Sequence, residues 1–270
     1  MEVTAHTPAT RECLDRLGQY PEVVPDIHPG DPMYGVKAVD PDRNYHRHGQ
    51  VMLDCIRLGL LAARKPRGRR ILDFACGHGR ALRYLRAEYP GAQITACDID
   101  RTAVDFCVEK LGAEPLYGTK HPRDLEAVDP FDLIWCGSLL THVDAPMWVE
   151  FLDYFESVLT PGGLLMFSFN GRMIADSLAI EEGDFWIGED KRQQILKGYE
   201  RGFGFAEYDE WPDYGVSLSK LSWVFDLLAD RSLQVVTFME ARWGAMDVLG
   251  LIKAEAINES ANPFNFPLGD

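Results

Sequence analysis

The chain has 270 residues, of which 46% are apolar, so it is long enough to build one large domain, or one domain with an added cap, around a full hydrophobic core. Its formal net charge of −15 argues against a general affinity for nucleic acid or anionic membranes, because both would repel it at long range. The basic run from Arg64 to Arg70 precedes the first predicted core strand, where a solvated linker explains it.

The six cysteines indicate a reducing compartment. None forms a C-x-x-C pair, and Cys76, Cys97 and Cys136 lie in or just after apolar, strand-like runs, so we expect buried thiols and neither a disulfide frame nor a zinc site. The two-residue spacing of His46 and His48 would place both rings on the same side only if the segment were extended. No cluster of further metal ligands is evident in the sequence, so no metal site is predicted. Without a signal segment or an apolar run of about 18 residues, the sequence predicts a cytoplasmic protein with no membrane contact.

The first part of the chain is predicted to cover the site. Residues 1–45 are rich in proline, which removes backbone donors and blocks long regular elements, so we expect a surface arm with one short helix over residues 10–17. Residues 49–64 follow as an amphipathic helix whose apolar side chains share one stripe. We therefore assign residues 1–65 to an N-terminal arm and helix.

From residue 70 onward, short apolar strands alternate with helical segments. The predicted strands are Arg70–Phe74, Gln93–Asp98, Glu114–Tyr117, Leu133–Cys136 and Leu164–Phe169. The predicted helices cover residues 80–88, 101–111, 123–127 and 145–159. Strands separated by such helices indicate a parallel sheet covered on both faces, so we predict a doubly wound α/β core over residues 66–170 and 216–256.

The alternation breaks at residues 171–215, which hold many acidic and aromatic residues. An insertion after the carboxyl end of a strand is where an open α/β sheet places its substrate cover, so we predict an inserted cap. Beyond it we expect a helix over residues 218–230 and two strands, 233–240 and 247–254, which pair antiparallel at the sheet edge because their link is short. The polar tail, residues 257–270, is predicted to be loosely held.

The stretch from Ile71 to Arg80 carries the functional prediction. Two aliphatic residues run into Asp73, then into a glycine-bearing turn and a helix-prone segment, so backbone N–H groups point at a ligand near the turn. A pyrophosphate site would avoid a carboxylate at the strand end, because phosphate oxygens are anionic. Asp73 instead suits a ligand with a cationic group whose own carboxylate lies at the helix N-terminus. This is the charge pattern of S-adenosylmethionine, whereas a dinucleotide turn would want glycine in place of Leu82.

Four segments, in the order and near the spacing of the family, resemble the class I S-adenosylmethionine-dependent methyltransferases of small-molecule type. They are the first motif, Leu72–Gly79, the second-strand motif with its terminal acid, Ile94–Asp100, the fourth strand, Phe131–Cys136, and the entry to the fifth strand, Leu159–Leu164. The resemblance implies a Rossmann-like, seven-stranded, mostly parallel sheet with an antiparallel edge strand. It also implies methyl transfer that leaves S-adenosylhomocysteine.

The resemblance implies which residues contact the cofactor. They are Asp73, Ala75, Cys76, Gly77, Gly79, Asp98, Ile99, Gly118, Thr119, Gly137 and Ser138. Asp98 would accept both ribose hydroxyls, although an acid there also suits the N-cap of the helix that starts at Arg101. Ile99 would pack on the adenine or lie in the core. Ala75 stands where the family has glycine, and its methyl group is tolerated if φ is negative.

His142 is the predicted catalytic residue. It lies four residues beyond Ser138, so both side chains face the cleft if this segment is helical. A histidine there would act as general base for a hydroxyl acceptor, and the alternative is that His142 caps or packs on the helix from Ala145. Cys136 is predicted to be a buried strand thiol and not a nucleophile.

The predicted function is methyl transfer to an oxygen or nitrogen of a small molecule. Tyr214–Ser219 and Trp243–Val248 resemble segments of methyltransferases that act on sugars and natural products, which suggests an acceptor of that kind. Two alternatives stay open: a nicotinamide-dependent oxidoreductase, opposed by Asp73 and Leu82, and a catalytically silent cofactor-binding subunit. We expect a small-molecule partner, no nucleic-acid or membrane partner, and a homodimer as a further hypothesis.

Overall fold

A computed structural model describes residues 14–35, 39–64, 68–180 and 187–254. Several sequence features lie outside these residues: Cys13, residues 10–13 of the first predicted helix, residues 65–67 of the basic run, residues 181–186 of the cap, and the predicted tail. Within the described ranges, no helix is both long enough and apolar enough to cross a membrane.

A seven-stranded sheet flanked by helices, with a two-stranded sheet beside it, makes up the described fold. The strands are β1 (Arg70–Phe74), β2 (Gln93–Asp98), β3 (Glu114–Tyr117), β4 (Phe131–Cys136), β5 (Leu159–Phe169), β6 (Phe203–Glu207), β7 (Gly215–Ser219), β8 (Leu233–Trp243) and β9 (Met246–Lys253). The helices are α1 (Pro41–Ala62), α2 (Leu82–Glu88), α3 (Arg101–Leu111), α4 (Ala145–Val158), α5 (Arg172–Ile180), α6 (Glu189–Glu200) and α7 (Leu221–Leu228).

The strand order of the large sheet is β3-β2-β1-β4-β5-β9-β8. Strands β1 to β5 pair in parallel, while β9 runs antiparallel to both β5 and β8. The predicted antiparallel pair is confirmed, with β9 inside the sheet and β8 at its edge. The order reverses between β1 and β4, and an open α/β sheet binds its ligands beyond the carboxyl ends of the strands at such a point.

Helices cover the large sheet on both faces, as the doubly wound prediction requires. Leu53 of α1 and Leu82 of α2 are fully buried on one face, with alternate residues of the strands. Trp148 and Phe155 of α4 are fully buried on the other face, with the intervening strand residues. Because successive strand residues point to opposite faces, strands that are apolar at every position indicate a sheet buried on both sides.

Helix α1 is longer than the sequence predicted. It begins at Pro41 and not at residue 49. The N–H groups of the first helical turn have no partner within the helix, so a proline there costs no hydrogen bond. Asp40 caps this end by accepting a hydrogen bond of 3.0 Å from the backbone N–H of Arg43. The prediction that the proline-rich arm reaches residue 45 is therefore wrong, and His46 and His48 lie on a helix.

The region after β5 builds a small unit of its own. Strands β6 and β7 pair antiparallel and pack with α5 and α6 around a separate apolar cluster. The cluster consists of Ala175, Leu178, Ile187, Ile195, Ala206, Val216 and Leu218. Residues 215–219 are extended because they pair with β6, so α7 begins at Leu221 and not at residue 218.

A buried ion-pair network fastens the N-terminal segment to α1 and α2. Arg57 Nη2 donates to Glu88 Oε2 at 2.8 Å, and Arg57 Nη1 donates to Asp54 Oδ1 at 3.3 Å and to the Gln19 carbonyl at 2.8 Å. Asp54 Oδ2 also accepts from the Tyr20 hydroxyl at 2.7 Å. Arg16 Nη2 also donates to Glu88 Oε2 at 3.0 Å. Each buried charge therefore has a partner, and Arg57 is the cation that Asp54 and Glu88 share.

Arg57→Ala is expected to lower the free energy of unfolding by about 3–5 kcal/mol, because Asp54 would stay buried without a cation and Glu88 would keep only Arg16. Urea unfolding measures this change. Arg172→Ala is the matched control, since its side chain is 58% exposed in a pair with Glu240 and should cost less than about 1 kcal/mol. Equal losses in the two variants would contradict a structural role for the buried network.

Candidate functional site

The turn after β1 is fastened to the end of β2. Cys76 N donates to the Cys97 carbonyl at 3.0 Å, and Gly77 N donates to Asp98 Oδ2 at 2.8 Å. Gly79 N closes the turn on the Cys76 carbonyl at 3.1 Å. Gly77 has φ +50°, and no atom lies within 4 Å of the position that a Cβ would take. The turn is therefore held rigidly while leaving open space beside Gly77.

Asp98 joins the ends of three neighbouring elements. Besides Gly77 N, its carboxylate accepts Asp100 N at 2.9 Å, and its carbonyl accepts Gly118 N at 2.7 Å. It does not cap α3, because Asp100 accepts the Thr102 N–H in that position. A carboxylate offers about four acceptor sites, so Asp98 retains capacity for two further donors. That capacity suits a pair of vicinal hydroxyls.

Asp73 lies deeper, at the end of β1, and is 1% exposed. Its Oδ2 atom has no hydrogen-bond partner among the described residues. Burial, with a smaller contribution from the Asp98 charge, raises the pKa of the Asp73 carboxyl to about 8. A buried carboxylate without a partner is costly, and a cationic ligand group would offset that cost.

Ala75 differs from expectation. Its φ is +59°, so the condition of a negative φ under which its methyl group was expected to be tolerated is not met. Such a conformation costs a non-glycine residue about 1–2 kcal/mol. The hydrogen bonds of Cys76 N and Gly77 N fix the chain directly after Ala75, which holds this conformation in place. Strain of this kind clusters at binding sites.

Residues on the far side of Asp98 form an open edge. Ile99 is 68% exposed and so does not lie in the core. Gly118 brings the end of β3 against the backbone of Asp98, where a Cβ would meet atoms at 2.7 Å. Thr119 is exposed, and its hydroxyl donates to the His121 carbonyl at 2.7 Å. An apolar side chain beside two polar loops offers a surface for a flat heterocycle.

The end of β4 lies beside the turn. Ser138 has φ +64°, and its N–H donates to Ser168 Oγ at 2.8 Å. Gly137 packs against the Trp243 ring, where a Cβ would come within 2.7 Å of the ring edge. Trp243 comes from the end of β8, so it forms a wall of the site that sequence spacing did not indicate.

His142 faces the cap and does not cap α4. Its Nδ1 atom lies 2.7 Å from the Gly215 carbonyl, and Asp144 accepts the Met147 N–H as the N-cap. Because a carbonyl only accepts, Nδ1 carries the proton in neutral His142, and Nε2 holds the lone pair. Burial lowers the pKa of His142, although the bond to Gly215 acts in the opposite direction. The ring stacks on Tyr214 with centroids 4.8 Å apart.

Backbone hydrogen bonds join the cap to the core beside His142. Gly215 N donates to the His142 carbonyl and Ser217 N to the Thr141 carbonyl, each at 2.8 Å. Strand β7 therefore runs along the loop after β4. This pairing places an aromatic group at the mouth of the cleft, whose members are His142, Tyr208, Trp211 and Tyr214. The sequence indicated the aromatic composition of the cap, but not that it meets His142.

The thiols are structural. All five cysteines in the described part of the chain are free and buried, as predicted. Burial raises the pKa of the Cys136 thiol well above its ordinary value, so the thiolate needed for nucleophilic attack is not formed at neutral pH. Cys76 is held in the turn by its backbone and is likewise a buried thiol of raised pKa, through its neighbour Cys107 and through burial.

The strand order, with β9 antiparallel to β5, is that of the class I methyltransferase fold. Residues 72–165 match the family model described as a methyltransferase domain. The described part of the chain thus has the class I S-adenosylmethionine-dependent methyltransferase fold, and its central residues are similar to a methyltransferase domain. The solved structure of the N-methyltransferase NodS from Bradyrhizobium japonicum, in complex with S-adenosyl-L-homocysteine, is similar in fold, with a TM-score of 0.51, 14% identity, and coverage of 92% of this chain and 99% of that one.

Two curated relatives align with the central part of the chain. One is the probable phthiotriol/phenolphthiotriol dimycocerosates methyltransferase 2 of Mycobacterium ulcerans, 28% identical over 108 residues. The other is the malonyl-[acyl-carrier protein] O-methyltransferase of Halalkalibacterium halodurans, 28% identical over 110 residues. These alignments cover 37% and 38% of this chain, and 39% and 40% of the relatives. The chain thus matches about two fifths of the length of either relative.

Asp73→Asn is expected to remove a pH dependence of stability in the ligand-free protein. Since the pKa of the carboxyl is higher in the folded protein than in the unfolded chain, the wild type is most stable where Asp73 is protonated in both states, and it loses stability as the pH rises from about 4 towards 8. The asparagine does not ionise. The stability of the variant relative to the wild type should therefore grow by on the order of 3 kcal/mol between pH 5 and pH 8.

Urea unfolding across this pH range measures the difference. Asp226→Asn is the control, because Asp226 is exposed on α7 and its loss should leave no such trend. A difference between Asp73→Asn and the wild type that stays constant with pH would contradict the raised pKa of Asp73.

Proposed function

We propose that the protein transfers a methyl group from S-adenosylmethionine to an oxygen or nitrogen of a small-molecule acceptor, leaving S-adenosylhomocysteine. The observation that carries this proposal is the buried Oδ2 atom of Asp73, which has no partner in the described structure and lies near a second carboxylate, Asp98. A pocket of this charge suits a ligand that is cationic at one end and carries ribose hydroxyls at the other.

The residues present fit that cofactor. Asp73 would receive the ammonium group, and Asp98 the ribose hydroxyls through the acceptor sites that Gly77 and Asp100 leave free. Ile99 and the loop at Gly118 and Thr119 would flank the adenine, in agreement with the exposure of Ile99. The open space beside Gly77 and the ends of β1 and β4 would take the methionine portion.

The cap is proposed to hold the acceptor over the cofactor. The pKa of the Tyr214 phenol is raised first by burial, then by Tyr208 and then by the charge of Asp98. Tyr214 therefore lies within electrostatic range of Asp98. Lys120, beside the proposed adenine loop, forms an exposed ion pair with Asp213 of the cap at 2.5 Å. These contacts join the cap to both sides of the cleft, which would exclude water from the reacting groups.

His142 is proposed as the general base. When bound, S-adenosylmethionine supplies a methyl group already activated by its sulfonium, so the protein mainly aligns the acceptor and removes its proton. The bond from Nδ1–H to the Gly215 carbonyl leaves the lone pair on Nε2 to take that proton. Because burial keeps the imidazole neutral at pH 7, Nε2 would be ready to accept it.

The acceptor is proposed to carry a flat or sugar ring. The group formed by His142, Tyr208, Trp211 and Tyr214 presents ring faces at the cleft, and Trp211 is 59% exposed there. Aromatic faces favour planar rings and the apolar faces of sugars. The name of one curated relative, a malonyl-[acyl-carrier protein] O-methyltransferase, supports transfer to an oxygen.

Asp98→Asn should weaken the binding of S-adenosylhomocysteine by about 10-fold or more, because hydrogen bonds to a charged acceptor contribute about 1.5–3 kcal/mol. Isothermal titration calorimetry measures the dissociation constant, and Asp129→Asn is the control, since its side chain is 85% exposed. Binding of NADH together with no binding of S-adenosylhomocysteine to the wild type would instead support an oxidoreductase.

His142→Gln should lower turnover of a neutral hydroxyl acceptor by about 100-fold and leave the affinity for S-adenosylhomocysteine unchanged, because only proton removal is lost. With an acceptor that is already ionised, the variant should match the wild type. Turnover of the wild type should persist below pH 6.5 and fall only as Nε2 is protonated, since burial lowers that pKa.

Release of S-adenosylhomocysteine from a panel of hydroxylated, amino and carboxylic metabolites measures turnover. The control is His121→Gln, because His121 is held at the surface by Glu150. Equal turnover of a hydroxyl acceptor by His142→Gln and the wild type would remove His142 from the proposed mechanism.

A further inference from the structure

Arg80 stands between two aromatic rings at the exit of the glycine turn. Its guanidinium lies 6.0 Å from the ring centroid of Tyr45 on α1 and 5.7 Å from that of Trp243 at the end of β8. Both rings are fixed in place. The Tyr45 hydroxyl donates to Asp31 at 2.7 Å, and Trp243 Nε1 donates to the His48 carbonyl at 2.8 Å. Both distances are within the range of cation–π attraction, so the two rings hold the guanidinium near the turn.

Arg80 differs from the two fully buried arginines near it. Arg57 donates to carboxylates and carbonyls, and Arg83 donates to the Gly79 carbonyl at 3.1 Å and to the Val24 carbonyl at 2.8 Å. Arg80 has no hydrogen-bond acceptor and no ion-pair partner within the described ranges of the chain. A guanidinium has five N–H donors, so a partly buried one without acceptors is incomplete.

The surroundings do not neutralise this cation. Burial lowers the pKa of Arg80, and only Tyr45 and Asp31 act in the opposite direction. Asp31 does not bond to Arg80; its two carboxylate oxygens accept from Tyr45 and from the backbone of Met33. By contrast, the carboxylates of Glu88 and Asp54 raise the pKa of Arg57 against the effect of its burial. An anion from outside the protein would therefore supply the charge partner that Arg80 lacks among the described residues.

The position of Arg80 relates this anion to the proposed reaction. Arg80 follows Gly79 directly, and the Trp243 ring that flanks it also packs against Gly137 at the end of β4. An anion on Arg80 would therefore lie between the cofactor turn and the acceptor side. Helix α2 begins at Leu82, two residues beyond Arg80, and no side chain caps its N-terminus. A ligand carboxylate at the helix N-terminus, as the sequence predicts, would therefore also lie near Arg80.

We propose that Arg80, held between Tyr45 and Trp243, is a carboxylate-binding subsite of the cleft. A carboxylate presents two oxygens in the geometry of the guanidinium fork, which lysine does not reproduce. This inference rests on the proposed function. The carboxylate comes either from the amino-acid portion of S-adenosylmethionine or from an acidic acceptor, and the two sources are separated by experiment.

The first arm compares S-adenosylhomocysteine with its decarboxylated analogue by isothermal titration calorimetry. If the cofactor supplies the carboxylate, the wild type should prefer S-adenosylhomocysteine by about 10- to 100-fold, and Arg80→Gln should bind both ligands equally. Arg80→Lys keeps the charge and should retain part of the preference. Arg47→Gln is the matched control, because it removes a cation from the exposed face of α1 and should behave as the wild type.

The second arm applies when Arg80→Gln leaves that preference unchanged. Benzoate is then titrated into the complexes with S-adenosylhomocysteine, and tryptophan fluorescence reports its binding beside Trp243. Saturable quenching in the wild type that is absent in Arg80→Gln would assign the subsite to an acidic acceptor. The same preference and the same benzoate response in both proteins would overturn the proposal. Failure of the proposed function looks different, because the wild type would then bind neither nucleoside.

Discussion

Two carboxylates of like charge, Asp73 and Asp98, are held at the ends of adjacent parallel strands. Asp73 pairs in register with Ala96, so Asp98 lies two residues further along β2, where it accepts a hydrogen bond from the Gly77 N–H. That bond orders the turn, but it also brings the charge of Asp98 towards the buried and unpartnered Asp73. The proximity of these two carboxylates destabilises the folded protein locally, and a bound cationic group would offset that cost. Such an arrangement is typical of functional sites.

The rest of the molecule is arranged around the opening above those acids. On one side the turn, Arg80 and Trp243 meet helix α1, which carries Tyr45 and His48. On the other side, β7 of the cap runs along the loop that carries His142. Contacts of this kind tie the cap to the core through backbone hydrogen bonds, so the cap is a folded unit with its own apolar cluster and not a loose loop.

The sheet was largely predictable from the sequence. Strands β1, β2 and β3 have the predicted bounds because short apolar runs ended by turn residues leave little choice of limits. Helix α1 was predicted too short because Pro41 was interpreted as a breaker, whereas Asp40 makes it a first-turn residue. Strands β6 and β7 were missed because glycines and acids obscure the alternation of apolar and polar residues. The bonds of β7 to the loop after β4 are long-range contacts that the local sequence does not indicate.

The site was predictable only in part. The residues of the turn and Asp98 lie close in sequence and follow strand ends, so their proximity followed from the parallel sheet. Trp243 lies more than a hundred residues from Gly137, and its contact arises from the antiparallel return of β9 and β8. No local pattern indicates that meeting. The positive φ of Ala75 was likewise hidden, because alanine gives no signal of a left-handed backbone.

A crystal structure of the protein with S-adenosylmethionine tests the central claim most directly, because it locates the ligand relative to both acids. We predict the ligand's ammonium group within hydrogen-bond distance of Asp73 Oδ2 and its two ribose hydroxyls on the Asp98 carboxylate. Density that places the nucleoside away from the two carboxylates, or an amino group that leaves Asp73 without a partner, would contradict the account.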